Sequence, residues 1–248
     1  MIWKEYHHFQ REINHSRKIS EGDPAEIWGW GTPAGKIRAE RRGELIAAGA
    51  RLQPGKVALE IGCGTGIFTE IFALSKARII AVDISPELIE IARKKGLPEK
   101  EVIFLEKPFE ECDVEGPFDA VIGSSILHHL ELEVAMKKVF ALLKPGGKLS
   151  FAEPNYLNPQ IFIERRFRRF FVSVSPDETA FIRWSLKSLL ERLGFTNIRI
   201  TPFDWLHPYT PESLVGMVSV LGRWVEKVPI FREFSGSLLI EAARPKQK

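Results

Sequence analysis

The chain has 248 residues, 44% of them apolar and 27% charged, with a formal net charge of +3. That length supports one full core with an elaborated cap, and so small and interspersed a charge makes no demand for a nucleic-acid partner. Cys63 and Cys112 are the only cysteines, which excludes a disulfide framework and points to a reducing, cytoplasmic setting. No apolar run approaches the roughly 18 residues of a membrane span.

The opening M-I-W-K-E-Y-H-H-F-Q carries charge and histidine where a secretory leader needs an apolar core. Residues 1–50 cluster aromatics, Trp28 and Trp30 among them, and read as a lid followed by a helix over 34–48 that carries Arg38, Arg41 and Arg42. Residues 51–153 read as a ligand-binding core, 154–234 as cap helices with a sixth strand, and 235–245 as a closing strand. No Pro/Gly/Ser-rich linker separates them, so one domain with cap insertions is expected.

Val57 to Thr69, V-A-L-E-I-G-C-G-T-G-I-F-T, joins a buried strand to a helix through Gly62, Gly64 and Gly66. Glycine there tolerates positive φ and leaves the backbone open to a ligand. The spacing is Gly-x-Gly-x-Gly, whereas a dinucleotide fold wants Gly-x-Gly-x-x-Gly, and Ile67 occupies the place of that third glycine. Glu60 before the turn would repel a pyrophosphate and attract an ammonium or sulfonium. R-I-I-A-V-D at 78–83 is a second buried strand that ends in the carboxylate of Asp83, followed by Ile84. A third strand spans 101–105, and F-D-A-V-I-G with S-S-I-L-H-H-L at 118–130 forms a fourth with its following loop.

These motifs, in this order, resemble the class I S-adenosylmethionine-dependent methyltransferases of small-molecule type. The resemblance covers roughly residues 40–153, with a weaker tail in Gly194-Phe195 and Gly236 to Ala243. It implies an α/β, doubly wound, mostly parallel seven-stranded Rossmann-like sheet with a helical substrate cap. It also implies S-adenosyl-L-methionine as cofactor and S-adenosyl-L-homocysteine as its product. Glu60, Gly62, Cys63, Gly64, Gly66, Asp83, Ile84 and Ser124 match the family's cofactor positions. Glu106 is set against the adenine edge, although Glu106-Lys107-Pro108-Phe109 departs from the usual Asp and small residue. Arg42 fits the arginine that holds the cofactor's carboxylate.

Methyl transfer from a sulfonium chiefly needs alignment and exclusion of water, with a base where the acceptor loses a proton. His128 and His129 after the fourth strand, and Glu153 at the end of the fifth, are the candidates. Adjacent histidines do not share a helix face as an i, i+4 pair does, so no metal site is expected. Trp28, Trp30, Trp205 and Tyr209 suggest a pocket for a small apolar or aromatic acceptor. The loop Ser-Ser-Ile-Leu-His-His lacks the Asn/Asp-Pro-Pro-aromatic motif of amino-group methylation, so an RNA or protein methyltransferase is the alternative, as is a non-catalytic cofactor-binding protein. Segment 160–172 is basic and amphipathic, with Ile163, Phe167, Phe170 and Phe171 on one stripe. A cap helix buried along that stripe is expected there rather than peripheral membrane contact. Oligomeric state leaves no mark in the sequence.

Overall fold

The computed structural model of the chain describes residues 2–167 and 180–246. Its frame is one seven-stranded sheet made of β1 (Val57–Ile61), β2 (Arg78–Asp83), β3 (Val102–Glu106), β4 (Phe118–Ser124), β5 (Leu143–Pro154), β6 (Thr196–Phe203) and β7 (Ser237–Ala243), in the order β3-β2-β1-β4-β5-β7-β6. β1 to β5 pair in parallel, and β7 runs antiparallel to both β5 and β6. Parallel strands need crossovers, and helices supply them on both faces. The helices of the core are α3 (Pro33–Ala50), α4 (Ile67–Ala73), α5 (Pro86–Arg93), α6 (Leu132–Leu142) and α8 (Arg183–Arg192). The remaining helices are α1 (Ile2–Ser20), α2 (Pro24–Ile27), α7 (Pro159–Arg166), α9 (Glu212–Val225) and α10 (Pro229–Arg232).

Burial on both faces explains the near-continuous apolar strands. Leu59, Val121 and Phe151 pack on one side with Met136 and Val139 of α6. Ala58, Ala81 and Ile122 pack on the other with Ile46 of α3 and Phe72 of α4. α3 and α4 approach closely because Gly43 has no side chain, and a Cβ there would lie 2.7 Å from Ile71. Strand order reverses between β1 and β4, so the carboxyl ends of β1, β2, β4 and β5 open onto one crevice, the usual ligand position in such sheets.

The amino-terminal segment opens with one long helix, α1, tied to α5 by an Arg17 to Glu87 ion pair of 3.0 Å. One expectation changes. The basic segment forms α7 only as far as Arg166, and none of its residues is buried. Ile163 and Phe167 are half exposed, because α7 is fixed by polar bonds at its start: Asn158 caps the amides of Gln160 and Ile161. Phe170 and Phe171 lie outside the described residues.

Asp119 stands at the opposite end of the sheet from the crevice. Burial alone would raise its pKa, but bonds from Lys144, the Val57 amide and Lys56 outweigh that and hold it at about 2, against an ordinary 3.8. A depressed carboxyl stabilises the fold above its unfolded pKa and ceases to do so as pH falls through the folded one. Asp119→Asn should therefore lower Tm at neutral pH, with the gap from wild type closing as pH drops from about 4 toward about 2, and leave cofactor binding unchanged. A gap independent of pH would contradict this assignment, and thermal scans across that range decide it.

Candidate active site

The glycine turn after β1 is closed by backbone bonds. The amides of Gly62 and Cys63 donate to Val82 O at 2.8 and 3.1 Å, and Gly66 N donates to Cys63 O at 2.9 Å. All three glycines have positive φ, at 67°, 50° and 76°, a region costly for other residues. Their missing side chains serve different neighbours. A Cβ on Gly62 would strike Ile126 at 2.4 Å, and one on Gly66 would crowd Ala92 of α5 at 3.1 Å. Beside Gly64, however, the nearest atom is the Trp28 ring at 3.6 Å. Gly64 is thus the turn's open side, while the other two admit protein.

Asp83 fastens this turn to β2. Its Oδ2 accepts from Gly64 N at 2.7 Å, and its Oδ1 accepts from Ser85 N at 2.9 Å. Each carboxylate oxygen has a second lone pair available for a ligand hydroxyl. Burial pushes its pKa up, partly offset by those amide bonds. Ser85 is the N-cap of α5, so Asp83 is spared that task.

A cavity of about 690 Å³ opens over these strand ends. Gly62, Cys63, Gly64, Asp83, Ile84 and Ser124 line it, and so do His128, His129, Trp28, Trp30, Trp205 and Tyr209. Arg42 also reaches it, 3% exposed, donating to Ser237 Oγ at 2.9 Å and Ser125 Oγ at 3.2 Å. Burial and nearby Arg38 lower its pKa to about 10, so it remains a cation at neutral pH.

Two residues stand elsewhere. Glu106 is exposed at the end of β3 and does not line the cavity; the chain turns after it, and Lys107, Pro108 and Phe109 reach the wall instead. Glu60 lies beneath the turn beside Thr69, 1% exposed, and is not a lining residue either. Burial raises its pKa to about 8.

The acid-base candidates form a connected group. Glu153 is fully buried, and its Oε1 accepts from Ile126 N at 2.9 Å and Leu127 N at 2.8 Å. Its Oε2 meets His128 Nδ1 at 2.6 Å. Burial alone would raise the pKa of Glu153, but His128 and the two amides bring it below the usual carboxylate range. An ionised Glu153 accepts the Nδ1 proton, which makes Nε2 the basic nitrogen of His128. His129 stacks beside it with ring centroids 4.3 Å apart, and its Nδ1 lies 2.9 Å from Glu12 Oε2 of α1. The described residues contain no cluster of metal-ligating side chains.

Sequence reasoning missed Glu12 and Asp204. Asp204 lines the cavity at a positive φ of 77° and holds Arg38 at 2.9 Å. No local pattern marks either residue, since both partners come from distant segments. A non-glycine residue at positive φ, such as Asp204 or Ser125 (φ 56°), costs conformational energy that surrounding contacts must offset.

Buried polar atoms without a protein partner indicate what the cavity accepts. Ser124 Oγ and Trp205 Nε1 have none among the described residues, and both residues line it. An open backbone at Gly64, a carboxylate with spare lone pairs at Asp83 and the Arg42 cation suit the methionine part, the ribose hydroxyls and the carboxylate of S-adenosylmethionine.

A family described as "Methyltransferase domain" matches residues 59–151. An uncharacterized methyltransferase-like protein of Schizosaccharomyces pombe is 30% identical over 167 residues, covering 64% of this chain and 61% of that protein. A ubiquinone biosynthesis O-methyltransferase of Xanthomonas oryzae pv. oryzae is 37% identical over 115 residues, 45% of this chain and 46% of that one. These matches span about half the length of the curated relatives. Among solved structures, the complex of the Haloferax volcanii Trm112 methyltransferase activator with a methyltransferase aligns with TM-score 0.68 at 17% identity, covering 93% and 97% of the two chains. The N-methyltransferase NodS of Bradyrhizobium japonicum with S-adenosyl-L-homocysteine aligns at 0.65 and 17%, covering 94% and 98%.

Glu60 gives the site a measurable pH signature. A carboxyl with a raised pKa stabilises the fold fully below its ordinary 4.5 and loses that contribution as pH rises through about 8. Glu60→Gln keeps the shape without the ionisation, so its Tm should gain on that of wild type from about pH 5 to about pH 9. A difference that stays constant across the range would mean Glu60 is already ionised in the fold.

Proposed function

We propose that this chain, whose residues 59–151 match a methyltransferase domain, is a class I S-adenosylmethionine-dependent methyltransferase that methylates a hydroxyl on a small apolar or aromatic acceptor, with His128 as the proton acceptor. The observation that carries this reading is the buried Glu153 carboxylate, held by two amides and set 2.6 Å from His128 Nδ1 in the wall of the cavity. A carboxylate so fixed orients the imidazole and stabilises the imidazolium that forms when Nε2 takes a proton.

S-adenosylmethionine, when bound, supplies an electrophilic methyl group on a sulfonium and leaves as S-adenosylhomocysteine. Gly64 would offer it an unobstructed backbone, Asp83 would accept from its ribose hydroxyls, and Arg42 would pair with its carboxylate. Ile84 and Phe109, both in the cavity wall, provide apolar surface for its base. His128 Nε2 would take the proton of the acceptor hydroxyl as the methyl carbon passes from the sulfonium sulfur to the acceptor oxygen. Trp28, Trp30 and Trp205 enclose the acceptor and keep water from the reacting atoms. The X. oryzae relative, named for O-methylation, supports an oxygen acceptor.

Incubation with methyl-labelled cofactor and a panel of phenols, catechols and apolar alcohols should yield labelled ether. His128→Ala should lower kcat by about 10²-fold or more without weakening S-adenosylhomocysteine binding. Glu153→Gln should lower kcat as well, because the imidazole loses the carboxylate that orients it and stabilises its protonated form. Loss of label incorporation from every hydroxyl compound, with the cofactor demonstrably bound, would sink the hydroxyl assignment. Full turnover in His128→Ala would remove the base. Asp83→Ala should weaken cofactor binding by about tenfold or more, as removal of a bond to a charged group does, with calorimetry as the measurement.

A further inference from the structure

The cap exposes an apolar expanse next to the mouth of the cavity. Along α9, Leu214, Met217, Leu221 and Trp224 recur at helical spacing and are exposed, Trp224 by 63%. The opposite side of the helix faces the protein: Val215 is buried, and Gly222 sits against Trp205. α10 adds Ile230 at 74% and Phe231 at 58% exposure. α7 continues the surface, because Asn158 Nδ2 donates to Phe234 O at 2.8 Å and Gln160 lies 2.8 Å from His207. One side of α7 gives Ile161 and Arg165 to the cavity wall, while Phe162 and Ile163 point outward, about half exposed. Large apolar side chains exposed together on three neighbouring helices mark an interaction site rather than scattered exposure.

Charge identifies the occupant. Arg166, Arg223 and Lys227 are exposed around this surface; Lys227 Nζ lies 4.2 Å above the Trp224 ring, and Arg166 lies 5.7 Å from the Phe167 ring. The neighbouring acids are already engaged, Glu226 by Arg41 and Glu233 by Arg183 and Arg232, and Glu212 stands apart in the first turn of α9. An anionic lipid surface meets both features: aromatic and aliphatic side chains enter the acyl boundary, and Arg and Lys heads remain among the phosphates.

We infer that α9, α10 and the outer side of α7 form a docking surface for an anionic lipid bilayer. Docking there would bring the membrane beside Trp205, Asn158 and Gln160, which line the cavity and border these helices. The acceptor class is then a lipophilic hydroxyl compound dissolved in the bilayer, a clause that rests on the methyl transfer proposed above, whereas the docking itself does not.

Cosedimentation of the full chain, without cofactor, with vesicles of phosphatidylcholine alone and vesicles enriched in phosphatidylglycerol tests the docking. Binding should be strong only to the anionic vesicles and should fall as salt is raised. Trp224→Glu with Ile230→Glu should weaken it by about tenfold or more, while S-adenosylhomocysteine binding is retained as proof of folding. Equal recovery with both vesicle types, no binding at all, or a salt-stable dimer in sedimentation velocity that the same two substitutions dissolve would overturn the inference. In a second arm, a soluble phenol and a long-chain alkylphenol carried in anionic vesicles are compared as acceptors. The double variant should methylate the soluble phenol at the wild-type rate and the vesicle-borne one about tenfold more slowly. If neither phenol is methylated by wild type, the hydroxyl reading fails while the vesicle-binding result stands.

Discussion

The Glu153 carboxylate is the group on which the rest of the site depends. An anion with no exposure at the end of β5 is expensive unless its lone pairs are occupied, and here three donors occupy them: the amides of Ile126 and Leu127 and Nδ1 of His128. Those bonds set the loop after β4 against β5. Because the loop is held there, Ile126 presses onto Gly62, and the glycine turn is packed from behind by the same segment that presents His128. One buried charge thereby couples the cofactor side of the crevice to the side where a proton would be taken.

The crevice itself follows from sheet topology. Parallel strands bring the carboxyl ends of β1, β2, β4 and β5 to one rim, and the reversal of strand order between β1 and β4 keeps a gap open between the crossing helices. Asp83 then bridges β2 to the turn through Gly64 N. At the far rim, Asp119 gathers Lys56 and Lys144. Identical chemistry, an aspartate at a strand, holds the glycine turn at one end and two lysines at the other, and position along the strand decides which.

Outside the sheet, polar contacts rather than a deep apolar core hold the cap. Arg38 pairs with Asp204, Arg41 with Glu226, and Glu12 with His129. These ties leave apolar side chains of α7, α9 and α10 facing outward, which is why the basic stripe read as a buried cap helix is exposed along its described part. A surface of that composition beside the cavity mouth is consistent with an acceptor delivered from a lipid phase.

The strand-and-turn core was legible in the sequence because its signals are local. β1 with its glycines, β2 ending in Asp83, and β4 with its following loop each occupy a short window in which apolar runs, glycine and a terminal acid have a direct backbone cause. The two histidines and Glu153 could be named from position alone, as residues that follow strands on one rim. Their pairing could not, because the Glu153 to His128 bond joins segments 25 residues apart in the chain. Tertiary structure alone decided that Gly62 and Gly66 make room for Ile126 and Ala92, that Glu60 sits under the turn and Glu106 outside the cavity, and that Glu12 reaches His129. Each of these depends on which distant side chain arrives, and a pairwise contact across the fold has no period or spacing by which a linear sequence could announce it.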